Sequence, residues 1–310
     1  MRTSKTNVLA TLESDSPIPL SEAATLAIEN EYGIRDVSTD SINWMEGAVK
    51  SLIRFKGDID IKSLTPRDVH EWQQHEKDRD LSPLTVNSYL RGVKTVYSRL
   101  VRKGIVDFNP AEPVKYLPKP PSNPKACSKE TYRAMINAAE SARDKAILGL
   151  LWCTGCRVGG IVSMKLDKIE FWEKDGKECC AIYIVEKFSK SRNIYACGEE
   201  LEYLQQWLQE RPNILGQKAL FLTSIRPFRK LTRVGVQKVL RRLAKKAGVT
   251  EKFNPHSFRH AFAIRKLEEK NDLPAVSAWL GHSNPSFTAS IYTTRTESQL
   301  RDLYFKDSDE

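Results

Sequence analysis

Apolar residues recur at helical spacing four times before residue 110. The first run begins after Ser21 with Glu22 and extends to about Glu31; the second follows Asp40 and Ser41 through Trp44, Val49, Leu52 and Ile53 and stops at Gly57. A third takes Thr65 as its cap, Pro66 in its first turn and Asp68 as the partner of a capping box. Ser82 and Pro83 repeat the device for a long fourth run that closes at Gly104. The pattern predicts a tail over residues 1–20 and an all-helical domain over residues 21–110. Periodicity then stops. PAEPVKYLPKPPSNP, from Pro110 to Pro124, holds six prolines, which fix φ and remove backbone donors. Residues 111–125 are therefore expected to form an extended linker, with the domain boundary near 122.

Beyond the linker, Ser128 caps KETYRAMINAAE, and a strongly apolar helix follows through Ala146, Ile147, Leu150 and Leu151 to Gly155. The period then changes to that of strands. Leu166 to Trp172, Cys180 to Val185 and Arg192 to Cys197 read as three short strands, separated by the polar turns EKDGKE and EKFSKS. After Gly198 helices resume: Glu199 to Gln209, Thr232 to Ala247, Pro255 to Lys270, Pro274 to Leu280, and a segment leading to Tyr292. The fold class predicted is mainly α with a small antiparallel β-sheet in a C-terminal domain of residues 126–310. No internal repeat is present.

Charge changes this picture. The chain of 310 residues carries a formal +10, and residues 1–120 balance at 17 basic and 17 acidic side chains, so the excess lies beyond them. The densest stretch, Arg226 to Lys246, has nine basic residues and no acid. That is the footprint of a surface tracking phosphates, and it selects Arg229, Lys230, Arg233, Lys238, Arg241 and Arg242 as DNA-binding candidates. The basic run of residues 81–120 adds Arg91, Lys94 and Arg99. Two domains joined by a semi-rigid basic strap suggest a clamp around a duplex. No apolar run reaches the ~18 residues of a membrane span, and the N-terminus lacks a secretory apolar stretch. A cytoplasmic, nucleoid-associated location without membrane partners is expected. The six cysteines are then expected as reduced thiols; Cys153 and Cys156 with Cys179 and Cys180 make a poor zinc set, because adjacent cysteines rarely present a tetrahedral pair.

The last third of the chain concentrates chemistry. NPHSFRHAFAIRKL and WLGHSNPSFTASIYTT contain His256, Arg259, His282 and Tyr292, and Arg157 stands upstream in CTGCRVGG. His256 and Arg259 are three apart at helical spacing and so project from one face. Two guanidinium forks, Arg157 and Arg259, suit the non-bridging oxygens of a phosphodiester, and their attraction grows as charge accumulates in the transition state. A phenol of pKa ~10 needs a base and a positive field to act as nucleophile, which His256 and the arginines supply. A lysine of the second turn, Lys190 in preference to Lys187, is the candidate acid for the leaving 5′-oxygen.

In order and spacing, CTGCRVGG, PHSFRHAFA and LGHSNPSFTASIY resemble the T-G-x-R, H-x-x-R-H-x-F-A and L-G-H…Y motifs of the tyrosine recombinase (phage integrase) family. SPLTVNSYLRGVKTVYSRLVRKGIVDFNPAEPV resembles that family's SAM-like core-binding domain, so the likeness covers about residues 20 to 300. It implies Arg157 as first phosphate arginine, Lys190 as hairpin lysine, His256 and Arg259 as the H-x-x-R pair, His282 as the late His/Trp position and Tyr292 as nucleophile. It further implies cleavage and rejoining of DNA through a 3′-phosphotyrosyl link, with neither metal nor ATP. The implied partners are double-stranded DNA with specific core sites and, in the synaptic complex, a homotetramer of chains that are monomers free in solution. A tail of about 20 residues favours a core-site recombinase without an arm-type domain. One departure matters: T-G-x-R-x-S-E of the family places an acid where this chain has Gly160, and Asp167 and Glu170 are the sequence's candidate substitutes. A DNA-binding relative that no longer cleaves, and a type IB topoisomerase acting on single sites, remain as alternatives.

Overall fold

The computed structural model describes residues 16–28, 39–118, 126–186, 191–250 and 254–281. Its chain divides into two compact units, Met1–Ser122 and Asn123–Glu310. The first contains α1 (Leu20–Ile28), α2 (Thr39–Lys56), α3 (Pro66–Asp78) and α4 (Pro83–Arg102). The expected caps are in place. The Thr65 side chain accepts from the Asp68 N–H and the Asp68 carboxylate accepts from the Thr65 N–H, while the Ser82 hydroxyl accepts from the Thr85 N–H. Trp72, Leu90, Val93 and Tyr97 form the buried centre. Polar tips there are satisfied: Trp72 Nε1 donates to Ser51 Oγ at 3.2 Å, and the Tyr97 hydroxyl donates to the Ile61 carbonyl at 3.1 Å. Helices α2 and α4 approach closely at Gly92, where an added Cβ would lie 2.4 Å from Ala48 Cβ.

The proline-rich segment, expected as an extended linker, is tied to the first unit over its described residues up to 118. Ala111 and Val114 are buried in the first unit, Gln73 donates to the Lys115 carbonyl at 2.9 Å, and Asn87 both donates to and accepts from the Leu117 backbone at 2.8 Å. Prolines forbid helix there but not packing, and two side chains of α3 and α4 satisfy the backbone that no ladder can.

The second unit contains α5 (Lys129–Ala138), α6 (Ala142–Thr154), α7 (Val158–Ser163), a 3₁₀ turn (Leu166–Lys168), β1 (Ile169–Lys174), β2 (Lys177–Val185), β3 (Ser191–Cys197), α8 (Glu199–Glu210), α9 (Arg233–Lys246), α10 (Pro255–Lys270) and α11 (Leu273–Leu280). After its charged first turn, α6 is apolar on every side and lies at the centre, with Ala146, Ile147, Leu148, Leu150 and Leu151 fully buried among α5, α8, α10 and β3. The sheet is an antiparallel meander of order β1-β2-β3, with Ile182 opposite Ile194 and Cys180 opposite Ala196. Its inner face, Cys180, Ile182, Ile184, Ile194 and Ala196, closes the core, while Tyr183 and Tyr195 face outward. The mainly helical class with one small antiparallel sheet is as expected.

Two local expectations are corrected. Leu166 to Lys168 is a 3₁₀ turn rather than the start of the first strand, which begins at Ile169. α7 was not expected, since VGGIVS combines two glycines with three β-branched residues and has poor helix propensity. Tertiary burial of Ile161 holds it in place. No described helix is long and apolar enough to cross a membrane.

Candidate active site

Each residue of the TGCR string has a physical task. Gly155 ends α6 in the left-handed region at φ 58°, and a Cβ there would lie 2.7 Å from the Phe262 ring, so the position admits glycine alone. The Thr154 hydroxyl donates to the Leu150 carbonyl at 2.5 Å and accepts from the Cys156 N–H at 3.2 Å, shaping the turn. Arg157 then stands at the head of α7 with its side chain 37% exposed.

The second half comes from α10. The Asn254 side chain accepts from the His256 and Ser257 N–H groups at 2.8 and 3.2 Å, and Pro255 fills the first turn. Phe258 and Ala261 face the core, which turns His256 and Arg259 toward α7. Arg259 is 7% exposed; it donates from Nη1 to the Gly155 carbonyl at 3.0 Å and from Nη2 to the Leu280 carbonyl at 2.7 Å. The two motifs therefore interlock twice, through Gly155 against Phe262 and through Gly155 to Arg259. Burial, and then repulsion from Arg157, lower the Arg259 pKa to about 9, so it remains a cation at neutral pH.

Arg157, Arg233, Gln237, His256 and Arg259 line one cleft with Val158, Gly159 and Pro255. Arg233 begins α9 and His256 lies in the first turn of α10, so the positive ends of two helix dipoles add to three guanidiniums. Such a site is built for an anion. Desolvation first, then the charges of Arg259 and Arg157, hold the His256 pKa below the usual imidazole value. The neutral ring, able to accept a proton, is thereby favoured.

Glu186, after β2, was not singled out by the sequence. Its Oε1 accepts from the Arg157 N–H at 3.1 Å and its Oε2 from Arg157 Nη1 at 2.7 Å; Arg192 Nη2 reaches Oε1 at 3.4 Å. Asp167 and Glu170 do not take this position. Asp167 pairs with Lys218 at 3.0 Å, and both acids line a separate hollow with Tyr183 and Asn193. Strand alternation explains the miss: Glu170 sits opposite Ala181 on the outer face, whereas Glu186 follows the last residue of β2 where the chain turns toward α7. The one available signal was Gly160 itself, which announced a missing acid without locating its replacement.

The remaining candidates divide. Lys190, His282 and Tyr292 lie outside the described residues. Arg229, Lys230, Lys238 and Arg241 are exposed, as is Arg233 at the cleft. Arg242 pairs with the buried Asp144, which also binds Arg143, and so has a structural task. In the first unit, Arg91 stacks over Trp44 at 5.1 Å, Lys94 lies over Tyr116 and donates to the Glu112 carbonyl, and Arg99 is half-buried. All six cysteines are free thiols, and burial raises those of Cys153, Cys156 and Cys180. Among the described residues no group of three or more His, Cys, Asp or Glu could hold a metal ion.

Comparison with known proteins agrees with this construction. The tyrosine recombinase XerC of Alcanivorax borkumensis is 29% identical over 251 residues, covering 78% of this chain and 79% of that protein. A lambda integrase dimer bound to a COC' core site shares the fold at a TM-score of 0.69 with 16% identity, over 95% of this chain and 83% of the other. So does the XerH site-specific recombinase in a post-cleavage complex with a palindromic difH substrate, at a TM-score of 0.68 with 20% identity, over 86% and 80%. The model of the phage integrase family matches residues 125–299, which include the whole cleft, and the chain belongs to that family of tyrosine recombinases.

Proposed function

We propose that this chain is a site-specific recombinase that cuts and rejoins duplex DNA through a 3′-phosphotyrosyl intermediate. The observation that carries the reading is the convergence of Arg157, Arg233, His256 and Arg259, from three segments spread over about a hundred residues of sequence, on one cleft at two helix N-termini. A scissile phosphate seated there meets guanidinium forks from two directions. The Tyr292 hydroxyl attacks phosphorus, its proton passes to the neutral His256 ring, the new O–P bond forms and the bond to the 5′-oxygen breaks. Lys190 protonates that oxygen as it leaves, and His282 completes the set of donors around the phosphate. The freed 5′-hydroxyl of a partner strand then attacks the phosphotyrosine. Bond energy is kept in the covalent link, so the exchange consumes no nucleotide.

Residues 21–110 serve as the core-binding domain, with Arg91, Lys94 and Arg99 toward DNA, and residues 126–310 as the catalytic domain. Lys238 and Arg241, with Arg229 and Lys230, contact phosphates on either side of the cut. Monomers in solution assemble on two core sites as a tetramer, on the DNA of the nucleoid. The test uses two plasmids, one with paired core sites recovered by selection from random duplexes and one without. Recombinants from the first and no relaxation of the second are expected. Relaxation of the site-free plasmid by isolated monomers would replace this reading with a topoisomerase.

A further inference from the structure

The space beside Gly160 is filled from another element. A Cβ added to Gly160 would lie 3.0 Å from Ile184 Cδ1 and 3.4 Å from both Cys156 Cβ and Glu186 Oε1. Ser163 fastens the end of β2 to α7, its hydroxyl accepting from the Val185 N–H at 3.2 Å and donating to the Gly160 carbonyl at 2.8 Å. Glu186 follows at once and directs its carboxylate into the gap, where the side chain is 5% exposed.

A carboxylate taken so far out of water is costly unless it is paired. Here its partners are the backbone and the guanidinium of Arg157, with Arg192 alongside at 13% exposure. Holding the N–H and Nη1 of one arginine together fixes both where that side chain starts and where its fork ends. A long, rotamer-rich side chain is thereby ordered before any substrate arrives.

We propose that Glu186 is the positioning carboxylate of the cleft, holding the Arg157 guanidinium in one orientation toward the substrate phosphate from the space that Gly160 leaves open. The inference rests on the reading in which Arg157 binds the scissile phosphate. Glu186 touches no substrate and acts through Arg157, while its own charge opposes an incoming phosphate. Removing that charge therefore has two consequences of opposite sign. Ground-state attraction for DNA is kept or grows, and cleavage slows because the fork is no longer preordered.

The experiment measures core-site duplex affinity and the single-turnover rate of covalent adduct formation for the full chain. Variants are Glu186→Gln, Glu186→Ala, Arg157→Gln and the double variant Gly160→Asp with Glu186→Ala, which moves the acid across the gap. Glu186→Gln is expected to bind at least as tightly as the parent and to cleave about a hundredfold more slowly. The relocated acid is expected to recover roughly tenfold of the rate lost by Glu186→Ala, a rescue that a merely structural glutamate would not give. The inference is overturned if Glu186→Gln cleaves at the parent rate while Arg157→Gln does not, or if rate, affinity and Tm fall together without rescue. Should Arg157→Gln itself cleave normally, the reading of the cleft fails and this inference with it.

Discussion

His256 is an imidazole held among cations. Its pKa is depressed by desolvation and by Arg259 and Arg157, so in the free protein its NMR titration midpoint is expected below the ~6.5 of an unperturbed histidine. Removing a like charge favours the protonated ring, and Arg157→Gln is expected to move the midpoint upward; an unchanged midpoint would mean that the two groups do not share a field. Arg259 combines two tasks. Arg259→Ala leaves the Gly155 and Leu280 carbonyls without their donor and is expected to lower stability by about 2–4 kcal/mol in denaturant titration. Arg259→Lys keeps the charge but loses the fork, and should fold well while cleaving roughly a hundredfold more slowly. Sequence made Arg157, His256 and Arg259 legible because their spacing and motifs are local. It did not make Glu186 legible, since a carboxylate after a strand has no periodic signature and its partner lies 29 positions away.

Two helix contacts in this fold tolerate no added methyl group. Gly155→Ala meets the Phe262 ring and a left-handed backbone at once, and is expected to cost about 2–4 kcal/mol and to displace Arg157. Gly92→Ala drives α4 into Ala48 of α2, at an expected cost of about 1–3 kcal/mol, with adduct formation at saturating DNA unchanged because the cleft lies in the other unit. Thermal unfolding with single-turnover cleavage separates these outcomes; equal loss of activity in both variants would refute the distinction. Helices with caps and periodicity were readable from sequence almost to the residue, as Pro255–Lys270 illustrates. α7 was not, because its glycines and β-branched residues argue against helix and only the burial of Ile161 sustains it. The proline-rich segment shows the complementary limit: composition reports what its backbone cannot form, and not that Gln73 and Asn87 bind it at Lys115 and Leu117.

Across the whole molecule the excess positive charge lies beyond residue 120. If Lys238 and Arg241 each neutralise a phosphate, replacing either by Gln is expected to reduce the slope of log affinity against log salt by about 0.9. Arg242→Gln should change that slope little and instead lower Tm, since Asp144 would lose one of its two guanidinium partners. Equal slopes for all three variants would contradict the division. Charge runs in the sequence single out a basic stretch, and only the fold distinguishes Arg242, paired with the buried Asp144, from its neighbours. The leaving-group assignment is tested with a bridging 5′-phosphorothiolate, whose sulfur departs without a proton. Lys190→Ala is expected to cleave it at nearly the parent rate while failing on the normal phosphodiester. Rescue of Lys187→Ala instead would move the role to that residue.

The most direct measurement is the identity of the atom joined to DNA. A nicked core-site duplex trapped on the full chain, digested and sequenced by mass spectrometry is expected to yield a peptide carrying a 3′-phosphate on Tyr292, with a free 5′-hydroxyl on the released strand and no adduct from Tyr292→Phe. Linkage through a 5′-phosphate, attachment at another residue, or an undiminished adduct from Tyr292→Phe would contradict the account.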